Sequence, residues 1–286
     1  MRILLVGAAG QLGQDLLRRN PGHEVDAPSR DRLDLADAVQ TAEYVRALRP
    51  QLVFNCAAFH NVALCETEPE QAFRVNCVAV RDLARLCAEI GAWLVTFSSD
   101  YVFGGEKRTP YLEEDRPGPL QIYGITRLAG EQAAFAEAPD RAVVIRTCGL
   151  YGAAGSRSRG GNFVDKRVAE ALAGGRIEIG AEQRVGPTST ADLSAAIFSL
   201  IGHPRLAAGV YHLVNEGECS WYELTRAIAG ILGARAEVVA VDRGGHWGGY
   251  RQPLYSVLAN TRARALGVTL RPWREALEDY LRGRGA

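Results

Sequence analysis

Short apolar runs alternate with longer amphipathic stretches along the first half of the chain. The apolar runs of strand length and the helix-length stretches between them lie at residues 3–6, 11–19, 52–56, 69–90, 93–97, 123–137 and 142–146. Alternation of this kind is typical of a parallel sheet covered by helices. It predicts an α/β fold, in which a second strand runs through His23-Glu24-Val25.

The regular alternation ends after Tyr151. A stretch rich in glycine, serine and arginine follows at 152–161, and it is either a mobile connection over a ligand site or a surface loop. From about 205 onward the pattern predicts a second lobe, with elements at 209–214, 221–232, 236–241 and 271–282. We therefore expect a first domain at 1–150 and a smaller C-terminal α/β lobe at 151–286, with part of 176–202 returning to the first domain.

Composition narrows the choice of partner. The 286 residues are 47% hydrophobic, and 33 basic residues balance 33 acidic ones without a block of like charge. This balance argues against nucleic acid or a membrane surface and favours a small neutral or anionic ligand. No apolar run approaches membrane-spanning length, and the amino terminus lacks a signal-peptide layout. Six cysteines without a C-x-x-C pair and five scattered histidines indicate reduced thiols, a cytoplasmic location and no metal site.

A glycine-rich turn follows the first predicted strand and opens the first predicted helix. Glycines in this context let a pyrophosphate approach the backbone N–H groups at a helix N-terminus. They predict a Rossmann doubly wound parallel sheet that binds a dinucleotide. The alternative is a tight turn that needs glycine for packing alone. The cofactor-binding residues predicted here are Gly7, Gly10, Gln11, Leu12 and Gly13.

The tip of the second strand bears on the choice between NADPH and NADH. An acidic residue there binds the ribose 2′-hydroxyl, whereas an arginine pairs with a 2′-phosphate. Arg30 favours NADPH, and Asp26 leaves NADH open as a cofactor. The alternative is that both are charges of a solvated loop.

Three residues are candidates for the chemistry. Ser99 follows an apolar run, and Tyr123 and Arg127 lie four residues apart, on one face of a predicted helix. A serine hydroxyl polarises a carbonyl, and a cation beside a tyrosine stabilises phenolate and so makes the tyrosine a usable proton donor. We predict all three as catalytic residues, with Tyr123 and Arg127 also contacting the cofactor, although lysine is the base expected at position 127. For Tyr123 alone, the alternative is an ordinary buried tyrosine.

Several motifs together resemble a known family. They are Ser98-Ser99-Asp100-Tyr101-Val102-Phe103, Tyr123-Gly124 with Leu128-Ala129-Gly130-Glu131, Asn162-Phe163-Val164 and Pro272-Trp273-Arg274-Glu275-Ala276-Leu277. With the G-x-x-G-x-x-G spacing of the turn, they make nearly the whole chain similar to the dTDP-4-dehydrorhamnose reductase family, within the extended short-chain dehydrogenase/reductase superfamily. The resemblance implies reduction of the C4 ketone of a dTDP-linked 6-deoxyhexulose with NADPH or NADH, the step that yields dTDP-L-rhamnose.

The resemblance also implies roles for further residues. On the cofactor side they are an acidic-apolar pair at the adenine, two small residues beside the cofactor and a supporting amide, namely Asp34, Leu35, Ala57, Ala58 and Asn76. Arginine pairs bidentately with phosphate, so two arginines are candidates for the diphosphate of a sugar nucleotide. The full set of substrate-side candidates is Phe59, His60, Asp100, Tyr101, Asn162, Arg184 and Arg251.

Departures from the family pattern leave two alternatives open. Three residues expected near the sugar are replaced, by His60, Ala63 and Gly149. The first alternative is therefore that the protein is a reductase of another nucleotide-linked 4-keto-6-deoxysugar, or an epimerase. Arg127 in place of lysine motivates a non-catalytic, cofactor-binding regulatory subunit. The expected partner is a nucleotide-sugar substrate, and the expected assembly is a monomer or a homodimer.

Overall fold

The computed structural model describes residues 1–155, 160–247 and 249–283, and a sheet of six parallel strands lies at its centre. The spatial order is β2-β1-β3-β4-β5-β10, with β1 at Arg2–Val6, β2 at Glu24–Asp26, β3 at Leu52–Asn55, β4 at Trp93–Ser99, β5 at Ala142–Thr147 and β10 at Gly209–His212. The chain passes from β1 to β2 on one side and then to β3 on the other. Such a reversal marks a ligand crevice at the carboxyl ends of the strands. The predicted α/β fold is confirmed.

Helices cover both faces of this sheet because side chains alternate along each strand. The covering helices are α1 at Gln11–Arg18, α2 at Ala38–Leu48, α5 at Ala79–Ile90, α6 at Ile122–Glu137 and α8 at Thr190–Ile201. Ile3 and Leu5 of β1 share one core with α1 and α8, whereas Leu4 and Val6 share another with α2, α5 and α6. Both faces of the sheet are therefore buried, and a crevice can form only at the carboxyl ends of its strands.

The helix predicted at 69–90 is divided in the structure. Helix α3 spans Val62–Thr67 and α4 spans Pro69–Phe73, and a π-helical turn at Arg74–Val78 leads into α5. π-Helical turns inside longer helices occur frequently at functional sites. Here the turn lies beside α6 and below the end of β3.

A smaller lobe packs at the carboxyl edge of the sheet. Its helices α7, α9 and α11 share a core that includes Val164, Leu224 and Leu277, and β7 pairs in parallel with β12. The remaining elements are β6 at Leu150–Tyr151, α7 at Phe163–Ala173, β7 at Arg176–Gly180, β8 at Arg184–Val185, β9 at Thr188–Ser189, β11 at Cys219–Ser220, α9 at Trp221–Ile231, β12 at Glu237–Val241, β13 at His246–Trp247, β14 at Tyr250–Arg251, α10 at Thr261–Ala265 and α11 at Trp273–Arg282.

Two later segments belong to the layers of the main sheet. Strand β10 pairs in parallel with β5, so the prediction that 209–214 is a strand of the second lobe is wrong. The buried side chains of Tyr211 and Leu213 fill the sheet core there. Helix α8, within 176–202, buries Leu193 and Ile197 in the same core. Residues 156–159 of the predicted connection lie outside the described residues. In the described ranges, no helix combines the length and apolarity needed to span a membrane.

Candidate active site

The glycine-rich turn packs directly against the end of β3. Gly7 has a φ of +79°, and a β-carbon there would lie 2.6 Å from the backbone N of Ala57. A β-carbon at Gly13 would lie 2.7 Å from the carbonyl O of Gly7. Both positions therefore require glycine, and the turn and the strand end together form one wall of the crevice.

The N-terminus of α1 is free to bind an anion. Its N-cap residue, Gly10, has no side chain that could bond the first-turn N–H groups. Gln11 Nε2 donates to the carbonyl O of Leu150 at 3.2 Å, and its buried Oε1 has no partner among the described residues. Leu12, also predicted here, is a core side chain. An uncapped helix N-terminus in a glycine cradle fits the pyrophosphate of a dinucleotide.

The segment after β2 carries the charges predicted to select the cofactor. Arg30 is exposed, and its Nε donates to Oδ2 of Asp34 at 3.2 Å. Leu35 is buried beside them, and Asp26 accepts a hydrogen bond from the Tyr44 hydroxyl at 3.0 Å. Exposed ion pairs contribute little stability, so the Arg30 guanidinium is available to a phosphate. Because β2 neighbours β1, these groups lie on the same sheet edge as the glycine turn.

Asn76 holds the loop that follows β3. Its Oδ1 accepts a bond from the backbone N of Phe59 at 2.9 Å, and its Nδ2 donates to the carbonyl O of Phe59 at 2.9 Å. Nδ2 also donates to Oγ1 of Thr126 on α6 at 3.0 Å. The buried amide thus fixes the position of the loop, which includes Ala57 and Ala58, relative to α6.

Two glycines let α6 approach the site closely. A β-carbon at Gly130 would lie 2.1 Å from the carbonyl O of Asn76, and one at Gly124 would lie 2.1 Å from that of Tyr101. Gln121 caps the helix by accepting a bond from the backbone N of Gly124 at 2.9 Å. Helix α6 is therefore fixed between the π-helical turn and the segment after β4.

Tyr123 and Arg127 lie together on α6. The Arg127 guanidinium carbon is 5.7 Å from the centre of the Tyr123 ring, and the Tyr101 ring centre is 6.2 Å from that of Tyr123. Arg127 Nη1 donates to Asn76 Oδ1 at 3.5 Å. Arg127 is buried, and in the part of the chain that the structure describes its Nε has no partner and no carboxylate pairs with it. A buried cation without a counter-charge is costly and is typical of a functional site.

Ser99 ends β4, two residues before Tyr101, whose ring neighbours that of Tyr123. Its Oγ accepts a bond from the backbone N of Tyr101 at 3.2 Å and lies 2.9 Å from Oδ1 of Asp100. The Asp100 side chain, a substrate-side candidate, is buried, and its Oδ2 accepts bonds from Ser256 Oγ at 2.6 Å and Cys148 Sγ at 3.0 Å. Burial raises the pKa of Asp100 above its ordinary value. Both carboxyl oxygens therefore contact protein groups.

An aromatic side chain from the smaller lobe completes the wall near Tyr101. Trp221 Nε1 donates to Gln183 Oε1 at 2.8 Å, and the edge of its ring would lie 3.2 Å from a β-carbon at Gly149. Trp221 thus fills the space beside the position where the resembled family has an aromatic residue. Burial raises the pKa of the Tyr101 hydroxyl.

Two substrate-side candidates have their polar groups occupied by protein. Asn162 caps α7 by accepting a bond from the backbone N of Asp165 at 2.9 Å, and its Nδ2 donates to the Tyr280 hydroxyl at 3.0 Å. Arg184 donates to Glu218 at 3.0 Å and to Glu223 at 2.6 Å. In this arrangement these side chains stabilise the smaller lobe.

The other substrate-side candidates lie nearer to the crevice. Phe59 and His60 belong to the loop that Asn76 holds, and His60 Nδ1 is 3.5 Å from the carbonyl O of Ala58. Arg251 is exposed on β14, which packs against α3 at the end of this loop. The structure therefore places Arg251 on the same side of the site as Phe59 and His60.

Sequence reasoning missed the contacts that Cys148, Ser256 and Gln183 make around the site. The first two contact Asp100 from 48 and 156 residues away. No local pattern marks such pairs. Free thiols are found at Cys56, Cys77, Cys87, Cys148 and Cys219, and burial raises the pKa of Cys87 and Cys219 to about 12. Among the described residues, no group of three His, Cys, Asp or Glu side chains is placed to hold a metal ion.

The class of protein follows from this arrangement. A dinucleotide cradle at the start of a doubly wound sheet faces a tyrosine and a cation on one helix, and a serine hydroxyl ends a neighbouring strand. This is the architecture of a short-chain dehydrogenase/reductase, a class of NAD(P)-dependent oxidoreductases in which a side-chain acid works beside a bound nicotinamide.

Known proteins define the family within this class. Residues 1–284 match the family model described as the RmlD substrate binding domain. The chain is 38% identical to a dTDP-4-dehydrorhamnose reductase of Mycolicibacterium smegmatis, over 97% of this chain and 84% of that one. It is 37% identical to a dTDP-4-keto-6-deoxy-D-glucose reductase of Streptomyces niveus, over 96% and 95%. A dTDP-4-dehydrorhamnose reductase from Bacillus anthracis, solved with NADP, has a TM-score of 0.91 at 32% identity and covers 98% of both chains. The chain belongs to the dTDP-4-dehydrorhamnose reductase family, as its motifs predict.

Proposed function

We propose that the protein reduces the C4 ketone of dTDP-4-dehydro-L-rhamnose to give dTDP-L-rhamnose, with NADPH as its cofactor. The observation that carries this proposal is the buried, uncompensated guanidinium of Arg127 beside the Tyr123 ring. A regulatory binding module has no chemical need for that arrangement, whereas a proton-donating tyrosine does. When bound, NADPH supplies the hydride that reduces the ketone.

Each of the three catalytic candidates has a role in this reaction. Ser99 donates a hydrogen bond to the ketone oxygen and so stabilises the negative charge that develops there. Tyr123 gives its proton to the resulting alkoxide. Arg127 holds a positive charge beside the phenol ring and stabilises the phenolate that remains. Because guanidinium is planar and always charged, it supplies this charge with a reach and geometry different from those of lysine.

The residues present fit a phosphorylated dinucleotide. The backbone N–H groups of Gln11 and Leu12, in the first turn of α1, would bind the pyrophosphate in a cradle that Gly7 and Gly13 keep open, while the Gly10 N–H closes the turn on the Gly7 carbonyl O at 3.0 Å. Arg30 would pair with the 2′-phosphate, which NADH lacks, so NADPH is the preferred cofactor and NADH the alternative. The other residues that would line the cofactor site are Asp34, Leu35, Ala57, Ala58, Asn76, Tyr123 and Arg127.

The substrate would lie between the loop at Phe59 and His60 and the wall formed by Tyr101 and Trp221. Arg251 is exposed nearby and is the better candidate for the diphosphate, since Arg184 is held by two carboxylates. We further infer a cytoplasmic location, which the buried free thiols of Cys87, Cys148 and Cys219 support. A monomer or a homodimer is our proposal for the assembly, and a domain boundary near 150 is our proposal for the two lobes.

A second candidate function is the reduction of another nucleotide-linked 4-keto-6-deoxysugar. It is supported by Trp221, which occupies the space beside Gly149 where the resembled family has an aromatic residue, and by the similarity to the Streptomyces niveus protein. A panel of dTDP-linked and UDP-linked 4-ketosugars, assayed by loss of NADPH absorbance, separates the two. Interconversion of sugars without net NADPH oxidation would instead indicate an epimerase.

The proposal is tested by removing the proton donor. Tyr123→Phe should lower kcat by about 10²-fold or more while KM changes little, because general acid catalysis contributes on that scale. Tyr211→Phe is the matched control, since Tyr211 lies on the edge strand β10 and its hydroxyl donates to the carbonyl O of Ala207 at 3.0 Å. Its kcat should equal that of the wild type. A wild-type protein that binds NADPH but turns over no 4-ketosugar would favour a regulatory subunit.

A further inference from the structure

A buried carboxyl group lies directly beneath the serine of the site. Asp100 is 3% exposed. Its Oδ1 is 2.9 Å from Ser99 Oγ, and its Oδ2 is 2.6 Å from Ser256 Oγ and 3.0 Å from Cys148 Sγ. The partners come from the end of β4, from the residue after β5 and from the smaller lobe. The reduction chemistry proposed above makes no use of this group.

A count of hydrogens limits the protonation state of this cluster. A serine hydroxyl has one hydrogen and two lone pairs, and an ionised carboxylate only accepts hydrogen bonds. If Asp100 were ionised, the hydrogen of Ser99 would point at Oδ1, and none would remain for a ketone oxygen. If Oδ1 carries a proton, Asp100 donates to Ser99 Oγ instead. The two lone pairs of Oγ then accept from Asp100 and from the backbone N of Tyr101, at 3.2 Å, and the hydroxyl hydrogen is free.

The surroundings favour the neutral acid. The three side chains that contact Asp100 are a thiol and two hydroxyls, so none brings a positive charge. The titratable groups that face it are Cys148 and Tyr101. Burial raises the pKa of both, and it raises the pKa of Asp100 as well. Burial away from any cation disfavours the charged form of a carboxyl group, whereas the three hydrogen bonds favour it, and burial has the larger effect on Asp100.

We propose that Asp100 is a positioning residue that holds a proton and donates it as a hydrogen bond to Ser99 Oγ, which directs the Ser99 hydrogen towards the substrate carbonyl oxygen. The second half of this statement rests on the proposed reductase function. The first half concerns the resting protein and is independent of the substrate.

Two substitutions at Asp100 separate a neutral donor from an anion. In Asp100→Asn the amide N–H can donate to Ser99 while the amide O accepts from Ser256, so the variant mimics the neutral acid. We expect its kcat to stay within about threefold of the wild type. Asp100→Ala lacks the donor, and we expect kcat to fall by about 10²-fold, with a smaller change in KM, the scale seen when one group that stabilises an oxyanion is lost. A folded Asp100→Asn protein as slow as Asp100→Ala would overturn the proposal.

Infrared spectroscopy tests the protonation state without turnover. The difference spectrum of wild type minus Asp100→Asn at neutral pH should contain the carbonyl stretch of a protonated carboxylic acid. A carboxylate band in its place would overturn the proposal, whatever the activities are. If no variant reduces any 4-ketosugar, the proposed function fails, whereas the infrared band still decides the state of Asp100.

Discussion

The ion pair between Arg146 on β5 and Glu131 on α6 should be far more important for stability than a surface pair of the same geometry. Arg146 Nε donates to Glu131 Oε1 at 2.9 Å and Nη2 donates to Oε2 at 2.6 Å. The two side chains are 4% and 2% exposed. Arg146→Met keeps an aliphatic stem but leaves the Glu131 carboxylate buried without a counter-charge.

The expected cost follows from this burial. Removing one partner of a buried ion pair destabilises by about 3–5 kcal/mol, because the remaining charge is desolvated without compensation. At about 1.4 kcal/mol for each factor of ten, the folding equilibrium constant should fall by roughly 10²- to 10³·⁵-fold. The guanidinium carbon of Arg146 also lies 5.1 Å from the centre of the Phe103 ring, and that contact is lost as well.

The chain contains a matched control for this measurement. Arg46 and Glu89 form a pair with bonds of 2.8 and 2.7 Å, but their side chains are 55% and 45% exposed. Water screens such a pair, so Arg46→Met should leave the urea midpoint nearly unchanged. Equal shifts for Arg146→Met and Arg46→Met in urea unfolding would refute the reasoning. Replacing Arg146 and Glu131 together should recover much of the loss, because no unpaired charge then remains.

Three further predictions concern the cofactor and pH. Gly10→Ala should weaken NADPH binding, measured by fluorescence titration, because the added methyl group would lie in the pyrophosphate cradle. The variant should still fold, since the nearest atom to that methyl group is the Gly7 carbonyl O at 3.3 Å. Arg30→Ala should reduce the ratio of kcat/KM for NADPH to that for NADH, and an unchanged ratio would make Arg30 only a surface charge. Burial lowers the pKa of His212 from 6.5 to about 3. Between these two pH values the unfolded chain binds a proton that the folded chain does not, so the free energy of unfolding falls as pH falls from 6.5 towards 3. In urea titrations between pH 7 and 4, the free energy of unfolding of His212→Gln should fall less with pH than that of the wild type, by up to about 1.4 kcal/mol per pH unit.

The Rossmann half of the molecule could be predicted from the sequence because its signals are local. The apolar runs of strand length, the glycine turn and the four-residue spacing of Tyr123 and Arg127 are each contained within a short stretch of sequence. The prediction for β10 was wrong because the apolar pattern at 209–214 indicates a strand but does not show which strand it pairs with. Only the sheet pairing with β5 identifies that partner.

The substrate side of the site was harder to predict for a similar reason. Arg184 is a plausible phosphate ligand until Glu218 and Glu223, which are 34 and 39 residues away, are placed around it. A buried acid such as Asp100 looks identical in sequence to one exposed in a crevice. Counter-charges and burial arise from tertiary packing, which residue order does not reveal. The roles of the individual site residues therefore stay predictions.

The return of α8 and β10 to the main sheet affects how this protein can be divided or recombined. A fragment ending near residue 150 would lack the sixth strand and would expose the core that Leu193 and Ile197 cover. Such a fragment should aggregate rather than bind NADPH. Segments of the smaller lobe alternate with segments of the main sheet along the chain, so a chimera that exchanges the smaller lobe between relatives needs at least three junctions: one before α7, one after β9 and one after β10.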